Sequence, residues 1–184
     1  MKHDVLVRPA RAEDCEAIHR MLVALAVYER APDAVKVTPD ALRRDGFGPS
    51  PRYEAIIAER EGKPVGFALW TSNYSTWEGR AGLFLEDIFV YEEARKFGVG
   101  QALMARMARI ACERGLGRID LNVLSWNPAR KFYERLGIAH IDEWVPYRVR
   151  GEALEKLAAL DRDARANQGL TESLAIPSNP VNLL

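Results

Sequence analysis

Between Leu83 and Met104 the chain reads LFLEDIFVYEEARKFGVGQALM, and this order of residue types restricts the folds open to it. The apolar run Leu83 to Val90 has the length of a buried strand. It nevertheless holds two adjacent acids, Glu86 and Asp87, where a buried strand normally tolerates none. A charged tether, Tyr91 to Lys96, leads to Phe97-Gly98-Val99-Gly100, after which Leu103, Met107 and Ile110 recur at helical spacing. A strand, a glycine turn and a helix start together make a place for an anion. Free N–H groups at a helix N-terminus point outward, the helix dipole adds partial positive charge, and glycines without Cβ let a diphosphate reach the backbone.

Three anion-binding motifs compete for this turn. A P-loop needs Gly-Lys-Ser/Thr, and here Gln101-Ala102 follows Gly100. A dinucleotide fingerprint needs a third glycine where Leu103 stands, and its turn should follow the strand directly, without the tether between Val90 and Gly98. The third pattern, Arg95-x-x-Gly98-x-Gly100, resembles the acyl-CoA pyrophosphate loop of the GNAT N-acyltransferase superfamily. On this motif alone an ordinary strand-to-helix turn remains the alternative, because a short Gly-x-Gly is weak evidence.

Composition narrows the function class. The 184 residues suffice for one domain, with 48% hydrophobic and 28% charged residues as in a globular chain. Formal net charge is zero, so no global electrostatic case exists for nucleic acid or an anionic membrane. No apolar run approaches membrane-spanning length and the N-terminus lacks a signal-peptide core, so a cytoplasmic location is expected. Cys15 and Cys112 are too isolated for a disulfide framework, and none of the three histidines has ligand spacing, so no metal is expected.

In chain order, the patterning predicts a strand over Val5 to Pro9 and a helix over Ala12 to Tyr28 with Ile18, Leu22 and Leu25 on its apolar face. Thr38-Pro39-Asp40 starts a second helix, which should stop by Asp45-Gly46. Strands at Tyr53 to Glu59 and Val65 to Thr71 flank a hairpin turn, and Asn73 to Arg80 reads as a polar and aromatic loop. Arg118 to Leu124 alternates as a strand with Ile119, Leu121 and Val123 on one face, and a short helix runs from Pro128 to Leu136. Ile138 to Ile141 and Val145 to Val149 form a last hairpin, followed by a charged helix over Gly151 to Arg165. The order gives an α/β fold, a mixed, mostly antiparallel sheet flanked by helices. Its expected limits are residues 1–166, with 167–184 a tail that is disordered or docked on a neighbour.

Beyond the glycine turn stands Ser125-Trp126-Asn127-Pro128-Ala129-Arg130-Lys131-Phe132-Tyr133, an Asn before a short helix with a Tyr near its middle. This resembles the other half of the GNAT signature, and two loose motifs in the right order are much stronger than either alone. Within that superfamily RPARAEDC, YER, RRDGFG, LEDIFV, RKFGVG and the Trp144 hairpin are similar to the diamine N-acetyltransferases, which acetylate spermidine, spermine or thialysine. Between Asn127 and Tyr133 the chain is one residue shorter than that family, so the helix starts a residue early or Asn127 loses its cofactor contact.

The resemblance implies acetyl-CoA as cosubstrate, with Ile88, Phe89 and Val90 bonding the pantetheine arm like an added strand. Arg95, Lys96, Phe97, Gly98, Val99 and Gly100 would hold the diphosphate, and Asn127 and Tyr133 would complete the cofactor site. It implies Tyr133 as the acid that protonates the departing thiolate and Glu86 as the carboxylate that draws the proton from the amine. Glu29, Glu86, Asp87 and Trp144 are expected on the substrate side, where carboxylates and aromatic faces suit an alkylammonium chain. The leading expectation is acetyl transfer to a small diamine, polyamine or thialysine-like amine by a homodimer. Acetylation of protein or peptide amines is the alternative, and a CoA-binding module without turnover would need neither Tyr133 nor Glu86.

Overall fold

The computed structural model describes residues 5–161. They gather into two units, one ending at Ile138 and the other beginning at Ala139. The first unit holds one five-stranded sheet in the order β1-β2-β3-β4-β5: β1 Val5–Pro9, β2 Glu54–Arg60, β3 Lys63–Ser75, β4 Arg80–Val90 and β5 Ile119–Leu121. The first four strands pair antiparallel and β5 joins β4 in parallel.

Helix α1, Cys15–Tyr28, follows a 3-10 turn over Ala12–Asp14. Asp14 fixes that turn by accepting from the Arg11 N–H at 2.7 Å and from both prongs of Arg8 at 2.7 and 2.8 Å. Helix α2, Pro39–Phe47, has the expected cap, the Thr38 hydroxyl accepting from the Ala41 N–H at 3.1 Å. It runs past the expected stop at Asp45-Gly46, because Tyr53 packs over Gly46 and donates to the Leu42 carbonyl at 2.6 Å. Helices α3, Val99–Glu113, and α4, Ala129–Arg135, complete the unit.

Two apolar layers sandwich the sheet. Cys15, Ile18, Met21 and Leu22 of α1 and Leu42 of α2 meet Ala55, Ile57, Phe67 and Leu69 on one face. On the other, Leu103, Met104 and Met107 of α3 and Tyr133 of α4 meet Ile56, Ala68, Trp70, Leu83 and Leu85. Alternation along β2 and β3 sends odd positions to one layer and even positions to the other.

Four further sequence expectations are corrected. Asn73 to Arg80 is mostly strand: β3 and β4 continue their ladder out to Ser75 and Arg80, leaving only residues 76–79 as the turn. Strand β5 is three residues long, although Ile119, Leu121 and Val123 do share one face. Its ladder ends at Leu85 with Leu121, where β4 changes course. In the second unit residues 139–150 form no strand. A hairpin needs a sheet or a packed face for stability, and Ile141, Val145, Tyr147 and Val149 are exposed instead. Helix α5, Glu152–Ala158, is shorter than expected, with Leu154 and Leu157 half-exposed. The remainder of that expected helix beyond 161, and the tail from 167, lie outside the described residues.

Candidate active site

The site begins with a bulge. Along the β3–β4 ladder Leu69 faces Asp87 and the next residue, Trp70, faces Leu85, so Glu86 is an extra residue without a partner. The extra residue reverses the alternation. Leu83 and Leu85 pack on the α3 side, but so do Ile88 and Val90 beyond the bulge, while Phe89 joins the α1–α2 layer. In an unbroken strand Asp87 would share the face of Leu83 and Leu85 and be driven into the α3 core. The bulge puts it on the α1–α2 side instead, in a cleft of about 550 Å³ that Glu29 and Glu86 also line. This is how the strand accommodates two acids.

The same bulge parts two strands. Parallel pairing with β5 covers only Leu83 to Leu85, and beyond it the β4 edge over residues 86–90 has no strand beside it among the described residues. Ile88, Phe89 and Val90 therefore stand where an extended ligand arm can add to the sheet.

Past Val90, a 3-10 turn over Glu92–Phe97 brings the chain to Gly98, whose φ of 76° lies in the left-handed region. A side chain there would meet nothing within 4 Å, so backbone conformation is the reason for glycine. The first helical bond of α3 runs from the Ala102 N–H to the Gly98 carbonyl at 3.0 Å, which leaves the N–H groups of Val99, Gly100 and Gln101 without helical partners. Gly100 has another reason: a Cβ there would stand 3.2 Å from the Phe132 ring, so its absence lets α4 pack on the start of α3. The Nε of Arg95 donates to the Val90 carbonyl at 3.1 Å, and its guanidinium lies 5.0 Å from the Tyr28 ring centre. Lys96 sits 5.4 Å over the Phe97 ring.

Tyr133 and Asn127 meet this turn from α4. Tyr133 is 8% exposed in the α3 layer. Burial, with the charge of Glu29 adding to it, pushes its hydroxyl up to about 12. Asn127 is 5% exposed, and its side-chain oxygen accepts from the Ala129 N–H at 2.9 Å and the Tyr28 hydroxyl at 3.4 Å. An Asx turn of Asn127 over Pro128 leads into α4, whose first residue is Ala129. Next to Tyr28, Glu29 is held above its usual carboxylate range by burial. Arg30 closes α1 in a left-handed conformation, φ 62°, with its guanidinium 4.4 Å over the Trp126 ring. Asp87 is pushed up to about 6, first by burial and then by the charges of Glu86 and Glu29.

Residues 14–138 match the Acetyltransferase (GNAT) family. The chain belongs to the GNAT acetyltransferase family. Thialysine N-epsilon-acetyltransferase of Bos taurus is 39% identical over 166 residues, 84% of this chain and 97% of that protein. L-ornithine N5-acetyltransferase of Arabidopsis thaliana is 33% identical over 119 residues, 64% of this chain and 49% of that one. Among solved structures, an integron cassette protein of V. cholerae superimposes with a TM-score of 0.71 at 28% identity, covering 86% of this chain and 98% of that one.

As a GNAT acetyltransferase the chain is an enzyme of a family that uses acetyl-CoA. The residues present suit that molecule: among the described residues, N–H groups without helical partners follow a left-handed glycine, and a strand edge with no strand beside it leads up to them. Of the expected site residues, Ile88, Phe89, Val90, Arg95 to Gly100, Asn127, Tyr133, Glu29, Glu86 and Asp87 all lie in the first unit. Trp144 lies in the second unit and is 70% exposed. Sequence reasoning missed Tyr28 as the partner of Asn127, and it missed two cations, Lys36 and Arg52, in the cleft wall. YER marks the first, but nothing local marks the others, which share a cleft with the acids only through the packing of the fold.

Proposed function

We propose that this acetyltransferase moves the acetyl group of acetyl-CoA to a primary amine of a small diamine, polyamine or thialysine-like substrate. The observation that carries the reading is the convergence of Glu29, Glu86 and Asp87 on one cleft, at the bulge where β4 and β5 part. The amine classes in the relatives' names agree with it. Three carboxylates there attract an ammonium, and Glu86, exposed and hydrogen-bonded by the Thr71 hydroxyl at 3.3 Å, is placed to take its proton through water. The neutral amine attacks the thioester carbonyl, a C–N bond forms, the C–S bond breaks, Tyr133 gives its proton to the sulfur, and the proton that the new amide nitrogen sheds restores the phenol by way of water. With its hydroxyl near 12, Tyr133 stays protonated through the neutral range. A cation bound near Glu29 offsets one of the two causes of that rise and brings the phenol closer to a thiol. Ile88 to Val90 and the turn from Arg95 to Gly100 would hold the cosubstrate, with Asn127 beside them.

A panel of amines incubated with acetyl-CoA and followed by release of free thiol tests the reading. Turnover on small diamines is the expected result. Turnover on lysine-containing peptides alone would replace it with protein acetylation.

Asp87 supplies a pH signature. Its folded value, about 6, lies above the ordinary aspartate value of 3.8, so between those values the native state binds the proton more tightly. As pH falls through about 6 the cleft loses a negative charge, so kcat/KM for a diamine should drop more steeply below that point than above it. Asp87→Asn should remove the extra steepness. By the same sign, burial of this carboxylate costs more stability as pH rises through the window. Asp87→Asn should therefore raise Tm at pH 7 and change it less at pH 4.

The chain is further proposed to work in the cytoplasm as a homodimer with Trp144 near the second subunit. Sedimentation should give twice the chain mass, and only a 20.7 kDa species at micromolar concentration would count against it.

A further inference from the structure

Resting on the acyl-transfer reading above, we infer that the cleft holds a carboxylate subsite formed by Lys36 and Arg52, which selects diamino acids over simple polyamines. The cleft wall carries both signs of charge. Its acids are Glu29 at the end of α1, Glu86 and Asp87 of β4, and Asp45 of α2, which lies on the side of the cations. Its cations come from the segment before α2 and the segment before β2. The sheet register sets how far Arg52 stands from the β4 acids: Ala55 of β2, Leu69 of β3 and Asp87 of β4 stand in one row. Arg52, three residues before Ala55, starts two strand spacings across and three residues along from Asp87, roughly 14 Å away. Side chains reaching in from both sides leave room for a short alkyl chain between them.

These cations are available to a ligand. The side chain of Arg52 is 82% exposed, and its only carboxylate within reach among the described residues is Asp45 at 4.0 Å. Asp45 is already gripped by Arg44 through two hydrogen bonds of 2.8 and 2.7 Å, and that contact holds its carboxyl below the usual range. Lys36 is exposed and makes no ion pair among the described residues. A polyamine lying along the cleft would bring an ammonium toward these cations and be repelled. A molecule with an amine at one end and an α-carboxylate at the other matches both ends.

The probes are L-ornithine, its methyl ester and 1,4-diaminobutane, which keep the same amine spacing and differ in the carboxylate. The wild type should use L-ornithine with a kcat/KM roughly ten- to a hundred-fold above both others, the range of a charge-assisted contact. Lys36→Met/Arg52→Met should collapse that ratio toward one by lowering ornithine use and raising that of 1,4-diaminobutane. Added salt should shrink the wild-type ratio, because these cations are exposed. Equal use of the three by the wild type, or a double variant that lowers all three alike, would overturn the subsite. Failure of every amine to release thiol would instead overturn the acyl-transfer reading on which it rests.

Discussion

Tyr133→Phe should fold as the parent does, bind acetyl-CoA with similar affinity and turn over roughly 10²–10⁴-fold more slowly. The substitution removes one oxygen from a side chain that is 8% exposed and keeps the ring contact with Phe132, whose centre lies 5.3 Å away. Packing therefore changes little and the loss falls on proton delivery to the sulfur. Steady-state rates with calorimetric binding of acetyl-CoA separate the two. Wild-type turnover in the variant would leave Tyr133 a packing residue of the α3 layer. The sharper control is Glu29→Gln, which removes a charge that raises the Tyr133 hydroxyl. It should shift the alkaline side of the rate profile downward in pH in the parent and leave no such shift in Tyr133→Phe.

Gly98→Val should weaken acetyl-CoA binding by an order of magnitude or more. At φ 76° a β-branched residue is strained by roughly 1–2 kcal/mol, and relief means turning the peptide that presents the first free N–H groups of α3. Breaking one hydrogen bond to a charged phosphate costs about 1.5–3 kcal/mol. The space around a Cβ at this position is open, so heat stability should fall only by the strain itself. Gly100→Val works differently, because its side chain meets the Phe132 ring and dislodges α4, so it should lower Tm as well as affinity. Calorimetry and thermal denaturation on the pair distinguish a backbone-conformation glycine from a packing glycine. Unchanged affinity in Gly98→Val would place the diphosphate elsewhere.

Much of the molecule is legible in the chain alone. Apolar spacing locates α1 and α3, Thr38-Pro39 locates the start of α2, and the glycine turn and Asn127-to-Tyr133 segment together carry the resemblance to the family. These are local signals: a cap, a period, or a residue without Cβ acts within a few positions of the chain. The pair Glu86-Asp87 is legible as an anomaly within a strand, but not in its direction. Alternation along a regular strand would send Asp87 into the α3 core, and only the ladder with β3, which skips Glu86, turns it toward Glu29.

Sequence alone thus determined the residue types of the site and the elements that bear them, because those depend on short-range propensity and on motifs read along one strand, turn and helix. Tertiary structure decided what these groups meet. Ladder register set the face of Asp87 and ended β5 at Leu121. The turn into α4 and the end of α1 committed the Asn127 oxygen to the Ala129 N–H and the Tyr28 hydroxyl. The packing of α1 and α2 on one face of the sheet brought Lys36 and Arg52 into the same cleft as Glu29, Glu86 and Asp87. Such meetings join residues far apart in the chain, and their geometry depends on how strands pair and layers pack rather than on any local pattern.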